Sequence, residues 1–336
     1  MRLWARGLTR LISNFAQKTM FTFRSLLRLT TARHKNTTPT FTEFITKSLA
    51  AIPELKGYRR PATIKNYRTA IVSLQCFARK TAIHNQPLSC DMMQQYEAWL
   101  KLHGISPNTS SCYVRSLRSL YNTLFPHGDK EIFHNIFTGN MRTMKRALAS
   151  ETVKKVIACQ PPRTSPLRLW HDVFLFSVYA LGMPFIDVAY LRWSDVSDGF
   201  ISYRRHKTGQ KISVPLTSEI NKIMDSYRSL TSDDLVFPIL HSYDCPYHIY
   251  QHRLTQYNSA LKRIRLSASI APNLTSYVAR HTWASLANSA GVSLSHISQA
   301  MGHADISTTQ IYLSHVSSEE MMADSLAVKQ LIIKKK

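Results

Sequence analysis

The chain has 336 residues, 44% of them hydrophobic, enough for two domains of ordinary size with separate cores. Lys and Arg number 43 against 20 Asp and Glu, a formal charge of +23; such an excess seeks a polyanion, nucleic acid first and an anionic membrane surface second. No apolar run is long enough to cross a bilayer. The five cysteines (Cys76, Cys90, Cys112, Cys159 and Cys245) show no metal-ligand spacing, which points to a reducing compartment without a disulfide frame or zinc site.

Residues 1–42 contain no Asp or Glu. Arg2, Arg6 and Arg10 fall on one helical face beside Leu3, Leu8, Leu11, Ile12 and Phe15. This basic extension, 1–39, reads as an organelle presequence or a membrane-surface helix. The blander readings are preferred: a DNA-contacting arm, or an upstream extension with the start at Met20.

From Thr40 the apolar period becomes helical. FTEFITKSLAAI is a first helix, and PATIKNYRTAIVSLQCFARK opens a second with Pro61 at its start. CDMMQQYEAWLKLHG is a third, ending on Gly104, and SPNTSSCYVRSLRSLYNTLF a fourth, closed by Pro126 and Gly128. These form a small all-α bundle over 40–128. Lys65 and Arg68 on one helix and Arg115 and Arg118 on another are candidate contacts to a DNA backbone, or else solvated helix faces.

The Gly, Asn and Lys/Arg content of the next stretch suggests a linker over 129–146. A second domain, 147–336, begins with a helix capped by Ser150. Then LWHDVFLFSVYALGMPFIDVAYLRWSDV reads as two buried helices around a turn at Gly182–Pro184. In GFISYRRHKTGQKISVPL, residues Ile201, Tyr203, Arg205 and Lys207 alternate with Ser202, Arg204 and His206, and Thr208–Gly209 makes the turn of a β-hairpin. The rest reads as helical.

The C-terminal third supplies Arg280-His281-Thr282, then Gly291, then Met301-Gly302-His303, then Thr308-Thr309, then Tyr312. Together with GMPFIDVAYLRWSDV and the hairpin's HKTG, this resembles the tyrosine recombinase (phage-type integrase) family over roughly residues 40 to 316. The resemblance implies a mainly α fold: an N-terminal four-helix SAM-like core-binding bundle, then an α-rich catalytic domain with a small β-hairpin or sheet.

The resemblance also implies the chemistry. Tyr312 would attack a DNA phosphodiester, leaving a 3′-phosphotyrosine and a free 5′-hydroxyl, with no metal and no cofactor. The transition state gathers negative charge on phosphorus oxygens, and fixed cationic donors stabilise it. Arg280 offers paired donors matched to phosphate, and His303 would add another. Lys207 corresponds to the family's proton donor to the departing 5′-oxygen. The polar spacer before Tyr312 would let the tyrosine dock and withdraw.

Two positions depart from the family pattern. Its first catalytic arginine belongs two residues after Gly182, where this chain has Pro184, although Asp187 fits the acidic position three further on. Arg205, projecting from the same strand face as Lys207, is the candidate substitute; otherwise it is a DNA-backbone contact or a solvated strand residue. Arg168 and Arg192 are weaker candidates, the latter suited to structural pairing. Tyr277 stands where the family has histidine; a phenol can donate to phosphate but is a poor base at neutral pH, or it packs. His281 reads as a supporting or capping residue.

The expected function is site-specific cutting and rejoining of DNA, for integration, excision or inversion. The expected partners are double-stranded DNA, three further copies in a homotetramer on paired sites, and an accessory DNA-bending factor, with no membrane. The setting implied is a prokaryotic mobile element or phase variation, in the cytoplasm on the nucleoid. The rivals are a non-catalytic DNA-binding protein on the same fold and a topoisomerase-like nicking and rejoining enzyme. The last segment, with Met321, Met322, Leu326 and Ile332, reads as an amphipathic helix that covers either its own core or a neighbouring protomer.

Overall fold

A computed structural model describes residues 38–57, 59–81, 83–141, 147–231 and 233–303, together with Thr309, Met322, Leu326 and Lys329. Nearly all of the basic extension, Tyr312, Met321 and Ile332 lie outside the described residues. The chain divides into two compact units, 1–141 and 142–336.

In the first unit, helices α1 (Phe41–Leu55), α2 (Pro61–Thr81), α3 (Cys90–Leu102) and α4 (Pro107–Leu124) pack around one core. Their starts are chemically marked. The hydroxyls of Thr40, Ser89 and Ser106 accept the amides of Glu43, Met92 and Thr109, which would otherwise lack partners. Gly104 adopts the left-handed φ of +70° just past α3. Phe44, Leu74, Phe77, Tyr96, Leu117 and Tyr121 are fully buried, and each such side chain contributes roughly 1.5–3 kcal/mol through the area it removes from water. The Tyr67 hydroxyl reaches Ser119 Oγ at 2.8 Å, tying α2 to α4.

The described part of the expected linker over 129–146, residues 129–141, is not a loose tether. A 3-10 turn at Glu131–Phe133 tucks Ile132, Phe133 and Ile136 into the bundle core. Asn108 then pairs with both backbone groups of Met141, at 2.9 and 2.7 Å. Polar composition suggested a loose tether, yet the apolar residues inside it are enough to pin the segment to the bundle.

The second unit is built around α6 (Leu167–Tyr179), whose residues from Trp170 to Val178 are all buried. A helix buried along most of its length belongs inside a fold, and α6 is packed by α7 (Phe185–Ala189), α8 (Ser218–Asp225), α9 (Tyr247–Ser267) and α10 (Val278–Ser289). Helix α5 (Ser150–Ala158) precedes it; Ala149, not Ser150, holds the cap position, and Ser150 is the first helical residue.

The β-hairpin forms as expected, with an additional short edge strand. Strands β1 (Val196–Ser197), β2 (Phe200–Arg204) and β3 (Lys211–Pro215) make one antiparallel sheet in that order. Ile201 faces Val214 and Tyr203 faces Ile212 across β2 and β3. The inward alternation of Ile201 and Tyr203 continues to Arg205, which is 7% exposed. Helix α11 (Leu294–Met301) packs against α10 and β3. No helix among the described residues is long and apolar enough to cross a membrane. Of the tail, Met322 and Leu326 are helical and exposed by 67% and 53%.

Candidate active site

The site grows from the C-terminal end of α11. Gly302 takes a left-handed φ of +61° and stops the helix. A helix end leaves carbonyls without intrahelical partners and carries partial negative charge, so it attracts cations. Two arginines answer here. Arg205 Nη1 donates to the carbonyls of Met301 and Gly302, both at 2.8 Å. Arg280 Nη2 donates to the same Met301 oxygen at 2.6 Å, and its Nη1 to Gly182 O at 3.1 Å. One carbonyl oxygen therefore brings together guanidinia that are 75 residues apart in sequence.

Two glycines permit the approach. A Cβ on Gly302 would lie 2.7 Å from Arg205 Cδ and from Ile212 Cδ1, and one on Gly182 would lie 2.9 Å from Arg280 Cα. The Gly182 turn also holds Leu181 at a φ of +56°, a conformation that costs a non-glycine residue about 1–3 kcal/mol. The backbone is held in this strained turn at the point where its carbonyl receives Arg280.

His303 follows directly. Arg280 Nη2 lies 2.9 Å from His303 Nε2, and His303 Nδ1 lies 2.8 Å from the Thr309 hydroxyl. Guanidinium only donates, so Nε2 accepts, and the ring proton sits on Nδ1, donated to Thr309. Burial and then the charges of Arg280, Arg205 and Lys207 push the His303 pKa down to about 4. The imidazole is thus neutral at neutral pH, and in this arrangement it braces Arg280.

This has a measurable sign. An unfolded chain protonates this histidine near its ordinary 6.5, whereas the folded chain resists until about 4. The unfolded state binds more protons in that window, so stability falls as pH drops through it. An NMR titration of His303 is expected to give a midpoint near 4, and His303→Gln should flatten the pH dependence of urea melts between 6.5 and 4. A midpoint at the ordinary value would remove the cationic cluster from the account.

Lys207 sits in the exposed part, 206–210, of the loop between β2 and β3, near enough to depress His303. The loop is closed by Arg205 N–H to Gln210 O at 2.9 Å and Gly209 N–H to Arg205 O at 2.8 Å. Asp187 on α7, its side chain 1% exposed, lies 3.7 Å from Arg205 Nε. Its other oxygen accepts the backbone N–H of His206 at 2.9 Å.

The other expected residues make the following contacts. Tyr277 opens α10 with its ring edge-on to His281 at 4.8 Å and is 47% exposed. Arg168 pairs with Asp172 at 2.7 Å. Arg192 pairs with Asp195 at 3.8 Å and covers the Tyr243 ring at 4.5 Å, the structural pairing its position suggested. Lys65, Arg68, Arg115 and Arg118 are exposed on α2 and α4 of the first unit. Among the described residues no group of His, Cys, Asp or Glu is arranged to hold a metal ion, and all five cysteines are free thiols.

Residues 146–319 match the phage integrase family. The chain belongs to this family. Residues 40–128 match the phage integrase SAM-like domain, so both units carry the family's signature. Among curated relatives, the tyrosine recombinase XerD of Vibrio cholerae is 23% identical over 273 residues, covering 77% of this chain and 87% of that protein. Among solved structures, the Tn1549 transposon integrase in complex with transposon right-end DNA superposes with a TM-score of 0.62 at 13% identity, covering 85% of this chain and 99% of that one. The XerH site-specific recombinase bound to a palindromic difH substrate gives a TM-score of 0.62 at 17% identity, covering 84% and 83%. The mainly helical architecture, with a SAM-like bundle and a small sheet, is thus an integrase fold.

The integrase signature alone did not reveal three parts of this arrangement: the Asp187–His206 contact, Thr309 behind His303, and the shared Met301 carbonyl. Asp187 was visible as an acidic position and Thr309 as one of a polar run, but their partners lie too far away in the chain for spacing to pair them.

Proposed function

We propose that this phage integrase family member is a site-specific DNA recombinase that cuts and rejoins duplex DNA through a 3′-phosphotyrosine. One observation carries the reading: Arg205 and Arg280 are held on one carbonyl oxygen beside His303, within the field of Lys207. Two guanidinia fixed at one point offer charge-assisted donors to the two non-bridging oxygens of a phosphate. Arg205 takes the part of the arginine absent at Pro184. Tyr312 is the nucleophile, Lys207 the proton donor to the 5′-oxygen, and Tyr277 an additional donor. His303 steadies Arg280 and becomes an Nε2 donor to phosphate once protonated.

The charge of +23 suits a polyanionic partner, with Lys65, Arg68, Arg115 and Arg118 contacting the DNA backbone. Affinity should then fall steeply with salt through counterion release. As part of the same proposal, the protein works as a homotetramer on paired sites with a bending factor, serving a mobile element or phase variation on the nucleoid. The chain's two units correspond to a core-binding domain and a catalytic domain.

Covalent trapping tests this. Nicked duplexes carrying the repeats that flank the gene are incubated with the protein and resolved in SDS, with Tyr312→Phe as the blank. A tyrosine-dependent adduct is expected. Tight, specific binding with no adduct would leave a DNA-binding protein on an integrase fold. Relaxation of any plasmid without a defined site would favour the topoisomerase-like activity.

A further inference from the structure

The proton donor presents a positioning problem. Lys207 sits at the exposed tip of a six-residue loop, 205–210, on a flexible stem with substantial rotamer entropy. A general acid must come within hydrogen-bond reach of the oxygen it protonates. Something must therefore fix the backbone from which the lysine extends.

The residue immediately before it is held at three points by a single turn of α7 and its end. The His206 backbone N–H donates to Asp187 Oδ1 at 2.9 Å, and its ring Nδ1 lies 3.1 Å from the same oxygen. The ring also lies 4.8 Å from that of Tyr190, tilted by 35°. Its side chain remains 32% exposed, so filling a core does not account for these contacts. Asp187 meanwhile turns its other oxygen towards Arg205. One buried carboxylate thereby joins a phosphate-binding arginine to the base of the lysine that follows.

The geometry points to His206 as a positioning residue for Lys207: the grip of Asp187 and Tyr190 on its ring sets where the lysine ammonium reaches. This rests on Lys207 being the proton donor. In the step served, the Tyr312 phenolic oxygen gives its proton to solvent and forms a bond to phosphorus while the P–O5′ bond breaks. The electron pair of that bond stays on O5′, which takes a proton from Lys207 and leaves as a hydroxyl. Alanine at 206 keeps the backbone bond to Asp187 and loses only the ring contacts, so the hairpin stays paired while its tip gains freedom.

A sulfur leaving group isolates this role. Site DNA with a 5′-bridging phosphorothiolate at the scissile position departs as a thiolate, which needs no proton. On ordinary DNA, His206→Ala is expected to lower the cleavage rate about 10- to 100-fold, the scale of a misplaced catalytic group. On the sulfur substrate it should cleave like the wild type, as should Lys207→Ala, while Arg280→Ala stays defective on both. His206→Asn, whose amide can reach Asp187, should show the same pattern with a smaller loss. An equal loss on both substrates, or no loss on ordinary DNA, in both position-206 variants overturns the proposal. Failure of sulfur to rescue Lys207→Ala would instead remove the lysine's role, and absence of any wild-type adduct would remove the recombinase reading itself.

Discussion

Exchanging Arg205 for alanine should slow formation of the covalent protein–DNA adduct by about 100- to 1,000-fold, the cost of losing one fixed donor to a transition-state oxyanion. Affinity for uncleaved site DNA should change little. The magnitude follows from placement. Arg205 is 7% exposed and shares the Met301 carbonyl with Arg280, so its charge acts in a poorly hydrated setting where it is weakly screened. Arg205→Lys keeps the charge but lacks the planar fork that spans two acceptors, and should fall between the wild type and alanine. A backbone contact without a catalytic part would behave differently: binding would weaken and the salt slope of affinity would drop by about one, with cleavage of bound DNA preserved. That second pattern would sink the substitution of Arg205 for the missing arginine. Because removal of Arg205 also strips Asp187 of its ionic neighbour at 3.7 Å, thermal melts of each variant separate a lost donor from a loosened hairpin.

The fold was largely legible because its signals are local. Apolar spacing with Pro61 and Gly104 marks the bundle helices, and the alternation of Ile201, Tyr203 and Arg205 is enough to aim the arginine to the same side as its apolar neighbours. Two readings gave way where a local signal met a tertiary one. Ser150 has the chemistry of a cap but is the first helical residue, with Ala149 at the cap position. The 129–141 stretch has a linker's polarity, yet Ile132, Phe133 and Ile136 find a core to enter. Strand β1 is two residues long, too short for any alternation to show. The candidate site's geometry was opaque in the sequence. Arg205 reaches carbonyls 96 and 97 residues away, and Asp187 meets His206 across 19; no periodicity pairs positions that only packing brings together.

Exchanging Asp172 for alanine should destabilise the second unit by about 3–5 kcal/mol, the usual cost of removing one partner from a buried ionic network. Asp172 is 4% exposed on α6. Its Oδ2 accepts Arg168 Nε at 2.7 Å and the Tyr227 hydroxyl at 2.8 Å, while Oδ1 lies 3.1 Å from His171 Nδ1. His171 is fully buried, with Nε2 2.8 Å from Val156 O, and cannot turn to solvent when the carboxylate goes. Burial alone would raise the Asp172 pKa, but the hydrogen bonds from His171, Arg168 and Tyr227 outweigh it and hold it below the ordinary 3.8. Its contribution is therefore complete at neutral pH and is lost only as pH falls below that value through the lower folded one. Tyr227→Phe removes one hydrogen bond to a charged acceptor and should cost about 1.5–3 kcal/mol, and urea melts at neutral pH rank the two. Equal losses would mean that the hydroxyl, not the carboxylate, anchors the network. The effect should reach the chemistry as well. Helix α10, which carries Arg280, packs directly on α6, so loosening α6 frees this arginine from its carbonyl seat. Cleavage by Asp172→Ala should consequently fail at temperatures where the wild type still cuts and the variant still binds DNA through its bundle.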